Sequence, residues 1–201
     1  MIRAVAALLI AAVSAAAAAQ APANPPVRLR GTVERIDRTH LIVKTNTGQS
    51  MNVKLADNYV VVGIAKASLA DVASGKFIGT TTVGERDGAL VALEVHIFPE
   101  NMRGTGEGHY DWDLRPDSKM TNANVANVTS MGKDRVLTVQ YKGGEKKVLV
   151  PEKAVIVSFT PTDRSELKPG VQVFVNSQRQ PDGSLTAARV NVGLKGQVPP
   201  M

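Results

Sequence analysis

The sequence predicts an all-β fold, built as two tandem OB-like small β-barrels, each with one short helical turn, after a cleaved signal peptide. Three observations predict it. Residues 53–95 match residues 148–190 without a gap, both stretches alternate apolar and polar residues with a period of two, and both carry an Asp-Gly turn at the same place.

Residues 1–19, MIRAVAALLIAAVSAAAAA, combine one Arg, an apolar run and small residues, the make-up of a secretory signal peptide. The expected cut falls at Ala19/Gln20 or Ala21/Pro22, ahead of a Pro-rich linker over 20–26. No later stretch supplies the roughly 20 apolar residues of a spanning helix. Export would place the chain in a periplasmic or secreted setting, and the lack of cysteine means that it would fold there without disulfides.

The first barrel is expected over 27–103 and the second over 125–194, with a bridging segment over 104–124 and a tail over 195–201. Within the repeat, Val60 meets Val155, Val62 meets Val157, Gly75 meets Gly170, and Asp87-Gly88 meets Asp182-Gly183. One residue of slip brings Leu41, Val43 and Gly48 onto Leu137, Val139 and Gly144. The Asp-Gly pairs supply the positive φ of tight hairpins, and Gly48 and Gly144 are expected to serve an earlier hairpin. Ser68, Asp71 and Gly75 in one half, and Asp163, Glu166 and Gly170 in the other, give an oxygen-bearing cap, a carboxylate three residues on and a glycine stop, the signals of one short helical turn. Three strands, a short helix and two more strands is the order of an OB-type barrel.

The closing stretch SELKPGVQVFVNSQRQPDGSLTAARVNV, with its counterpart DVASGKFIGTTTVGERDGALVALEV, resembles a bacterial exported domain-of-unknown-function family with OB-like repeats. Together with the GEGHYDWDL insert and the MTNANV that follows it, the chain is similar to proteins often labelled "metal ABC transporter permease". A permease must enclose a path with several spanning helices. The resemblance therefore implies, at most, an accessory periplasmic protein.

Candidate chemistry concentrates in the bridging segment, which holds the single Trp, one of three His and four carboxylates. His109, Asp111 and Asp113, with Glu107 nearby, are candidate ligands for a divalent metal, since imidazole and carboxylate are ordinary ligands; the alternative is a set of solvated turn residues. An EF-hand is excluded, because Arg115 and Pro116 stand where an oxygen ligand and the turn glycine belong. Tyr110, Trp112 and Leu114 alternate with Asp111, Asp113 and Arg115, so Glu107, Tyr110 and Trp112 are the expected partner contact or structural bridge, with Trp112 buried against a barrel or between the two. His96, beside Glu94, falls on the polar phase of a strand and is expected at the surface, as is His40 at a turn.

No Cys, no G-x-S-x-G elbow and no phosphate loop places a nucleophile or an anion cradle, so the chain reads as non-enzymatic and without a cofactor. The net charge of +6 is uneven: +2 over 27–103, −3 over 104–118 and +6 over 119–201. Lys142, Lys146 and Lys147 form a basic surface at one hairpin, suited to an unknown protein partner or an anionic envelope component. Nucleic acid is not expected, because single-strand binding needs stacking aromatics, which are scarce, and Phe159 and Phe174 fall in or beside apolar strand runs.

Overall fold

The computed structural model describes residues 25–201, so the expected signal peptide and the linker up to residue 24 lie outside the described residues. The described chain is all-β, with 3₁₀ turns as its only helices. Among the described residues no helix is long and apolar enough to cross a membrane.

Twelve strands follow in order: β1 (Val27–Ile36), β2 (His40–Thr45), β3 (Ser50–Lys66), β4 (Phe77–Arg86), β5 (Ala89–Ile97), β6 (Gly108–Asp111), β7 (Lys119–Met131), β8 (Asp134–Tyr141), β9 (Gly144–Val150), β10 (Val155–Pro161), β11 (Gln172–Arg179) and β12 (Leu185–Gly193). Strands β1, β2 and β3 form an antiparallel meander that closes into a five-stranded barrel, with β12 parallel to β3 and β11 between β12 and β1. A second circuit has the same order: β7, β8 and β9 close through β5 and β4, with β5 parallel to β9 at Leu90↔Val148 and Val91↔Leu149.

This pairing corrects the tandem arrangement over 27–103 and 125–194. Each barrel takes its three-strand meander from one half of the chain and its last two strands from the other. The reason lies in the connections: β3 runs on past the first barrel for 17 residues in all, and its end pairs with β10 rather than turning back. The chain is thereby carried across before β4 begins. Segment 104–124 is likewise not a bridge, because β6 folds back as a hairpin on β7, whose first residues already belong to the second barrel.

A shift of 95 residues, the distance from Val60 to Val155, relates the registers of the two halves. Val60, Val61 and Val62 on β3 pair with Arg189, Val190 and Asn191 on β12, while Val155, Ile156 and Val157 on β10 pair with Glu94, Val95 and His96 on β5. Phe159 pairs with Ile64, its own counterpart, at the centre of the β3–β10 ladder. Both meanders are also bulged at the same place, between Val33 and Arg35 and between Val125 and Asn127.

Several local signals act where the sequence puts them, and others are adjusted. Asp71 accepts from the Ser68 N–H at 2.8 Å and from its hydroxyl at 2.7 Å, whereas Asp163 and Glu166 form no such box; the two 3₁₀ turns close at Val72 and Leu167, and Gly75 and Gly170, at φ of +83° and +88°, serve the turns that follow. Asp87 and Gly88 both lie at positive φ, as a two-residue hairpin requires. At the other pair only Gly183 does, while the Asp182 carboxylate instead accepts from the Ser184 N–H and hydroxyl. In the β8–β9 turn the positive φ belongs to Gly143, and Gly144 begins the strand.

Three apolar clusters result. One fills the first barrel around Leu41, Val53 and Val190, one fills the second around Val95, Leu137 and Val148, and the third joins them through Ile64, Phe77, Phe98, Met120, Val157, Phe159 and Phe174. Each fully buried aliphatic side chain contributes about 1.5–3 kcal/mol of transfer free energy. The junction cluster makes the two barrels one packed body.

Candidate functional site

The junction cluster is incomplete. Beside it lies a cavity of about 630 Å³, within the range of small-molecule sites. Five of the eight aromatic residues of the chain line it: Phe98, Tyr110, Trp112, Phe159 and Phe174. The exchange of strands explains the concentration, because the end of β5 leads into Phe98 beside Phe159 of β10 and Phe174 of β11, and the β6 hairpin brings Tyr110 and Trp112 to the same cavity.

Among the described residues four buried side-chain polar atoms have no hydrogen-bond partner: Arg28 Nε, Trp112 Nε1, Asn122 Oδ1 and Asn191 Oδ1. All four belong to residues that line this cavity. An unpaired buried polar group costs about 1–3 kcal/mol, so four on residues around one cavity make it the candidate site. The amide orientations are fixed by their other ends: Asn122 Nδ2 donates to the Thr105 carbonyl at 3.0 Å, and Asn191 Nδ2 to the Phe174 carbonyl at 3.2 Å. Both Oδ1 atoms are therefore free acceptors.

His96 and Glu94 correct the surface expectation. Both are buried, at 3% and 1% exposed, because the polar phase of β5 faces the junction and not water. Glu94 accepts from the Thr81 N–H at 3.0 Å and the Thr81 hydroxyl at 2.6 Å, and its second oxygen lies 3.0 Å from His96 Nδ1. The imidazole packs edge-on against the stacked pair Phe98 and Phe159 at the cavity wall. Its Nε2 occupies space that only a glycine at position 79 leaves open: a Cβ there would stand 1.8 Å from it and 2.3 Å from Asn122 Oδ1. His40, by contrast, is exposed in a turn held by the Asp37 carboxylate.

Comparison with protein-family models, curated proteins and solved structures finds no match. The chemistry of the site is therefore read from its own atoms.

The expected metal ligands are not gathered. Asp111 is exposed and paired with Lys119, whose ammonium holds the carboxyl below its usual range. Asp113 meets Arg30 at 2.7 Å and Arg28 at 3.6 Å; partial burial alone would raise its pKa, but the two guanidinium groups outweigh it and keep it low. His109 places Nδ1 2.8 Å from the Thr121 hydroxyl and faces Tyr141, and burial, aided by Lys146 and Lys119, pushes its pKa below the ordinary value. Glu107 accepts from the Lys142 N–H at 2.9 Å. Among the described residues no group of three or more His, Asp or Glu is placed to hold an ion.

Trp112 is half-buried against the junction cluster, with the Arg28 guanidinium 4.0 Å from its ring centre and Phe174 at 6.3 Å. Tyr110 lies 6.1 Å away and is more exposed. Lys142 and Lys147 are exposed and Lys146 is half-buried on the β8–β9 hairpin, away from the cavity. Arg28, Asn122 and Asn191 went unnoticed in the sequence, where nothing marks an Arg or Asn in a strand as buried.

Proposed function

We propose that this chain is an exported, non-enzymatic binding protein, built from two OB-like barrels, that holds a small organic ligand in the cavity at their junction. The observation that carries the reading is that the four unpaired buried polar atoms found among the described residues all belong to residues lining one aromatic-rich cavity. A well-packed structural joint would bury apolar groups there or pair its polar ones. The metal-handling alternative has less support, since Asp111 and Asp113 are already engaged by cations and Glu107 by a backbone N–H.

A dye titration tests this. The anionic aromatic fluorophore 1-anilinonaphthalene-8-sulfonate should bind one per chain and take up excitation energy from Trp112. Ala188, exposed at the cavity wall, is the place to block it: Ala188→Trp should abolish the bound dye while leaving the melting temperature within a few degrees. Undiminished dye binding in that variant would rule the cavity out as the site.

A further inference from the structure

We propose that the junction cavity selects an aromatic monocarboxylate that also carries a hydroxyl or N–H donor, an inference that rests on the cavity being the binding site. The charge of the lining sets the first half of the specificity. Two arginines, Arg28 and Arg189, line the cavity and no Asp or Glu side chain does; Met201, which also lines it, has its terminal oxygen taken by Arg30 Nε at 2.7 Å. Arg28 is only partly neutralised, because Asp113 is shared with Arg30 and lies nearer to it, at 2.7 Å against 3.6 Å. The Arg28 guanidinium stacks on the Trp112 ring, so the two unpaired donors, Arg28 Nε–H and Trp112 Nε1–H, belong to one stacked pair. A cationic donor beside a neutral one suits the two oxygens of a carboxylate, whose charge-assisted hydrogen bonds are about twice as strong as neutral ones. A ligand cation would find no acidic side chain on the wall.

The body and the far end follow from the other residues. Phe98, Phe159 and Phe174 offer ring faces and edges to a flat apolar group. Asn122 Oδ1 and Asn191 Oδ1 are acceptors with their amide nitrogens already committed, so the ligand must bring a donor to them. The two Asn come from different barrels, on β7 and β12, and the ligand is read by both.

Calorimetric titration of the folded chain with three probes separates the parts of the claim. 6-Hydroxy-2-naphthoate should bind one per chain and shift the emission of Trp112. Its methyl ester, which lacks the charge, and 2-naphthoate, which lacks the hydroxyl, should each bind about tenfold more weakly. Arg28→Gln should bind acid and ester alike, and Asn191→Ala should erase the preference for the hydroxyl while keeping the preference for the acid. Ester binding as tight as acid in the unaltered chain would overturn the carboxylate assignment yet leave the cavity as a site. Failure of all three probes to bind, with Trp112 emission unmoved, would overturn the cavity reading together with the assignment.

Discussion

Gly79 shows how much of the site depends on one missing side chain. Shifted by 95 residues it corresponds to Phe174, as His96 corresponds to Asn191, so one half of the chain sets a glycine beside a large polar ring where the other sets a phenylalanine beside a small amide. These departures within the repeat were visible in the sequence, but period-two alternation assigned His96 and Glu94 to water. Alternation states which residues share a face and not what covers it. Gly79→Ala would drive a methyl into His96 and Asn122, and overpacking of this kind costs about 1–3 kcal/mol; urea unfolding should show that loss, and an unchanged midpoint would mean that the imidazole has room. His109 supports a prediction with a definite sign. Its pKa in the folded protein lies below the 6.5 of the free group, so the unfolded chain takes up a proton first as pH falls. The stabilisation is complete above about pH 6.5 and is lost as pH falls through the folded value. His109→Gln should therefore flatten part of the decline in urea midpoint between pH 7.5 and 5.5, and an identical decline in both proteins would contradict the assignment.

At the scale of elements, the local grammar of turns and caps was largely readable, because each signal acts within four residues. The positive φ of Asp87 and Gly88 follows from a two-residue hairpin that must match the twist of β4 and β5. Gly88 has open space around its missing Cβ, so Gly88→Ala should lose about 1 kcal/mol from backbone conformation alone, and a thermal melt equal to that of the unaltered chain would show that the turn relaxes without cost. Partner choice was not readable. Strands β4 and β5 satisfy the same pattern whether they close on β1–β3 or on β7–β9, since the counterparts β11 and β12 offer the same alternation. What decides is the continuation of β3 to Lys66, where Val62 to Lys66 pair with β10 and lead the chain into the other barrel. No single residue announces that continuation, and in the second half Pro151 separates β9 from β10.

For the whole molecule, the exchange of strands ties the site to the fold. The cavity lies where β5, β7, β10, β11 and β12 converge, and its lining residues come from both halves of the chain. The bridging segment was legible as apolar on one side and charged on the other; that its charged side would be neutralised by Arg28, Arg30 and Lys119 depended on neighbours distant in sequence. The central claim is that each half completes the barrel of the other, and circular dichroism of the separated halves tests it most directly. Residues 25–103 and residues 104–201, prepared alone, should each lack a cooperative thermal transition, and their mixture should regain β-structure and a single melt. A cooperative melt of residues 25–103 in isolation would contradict the account.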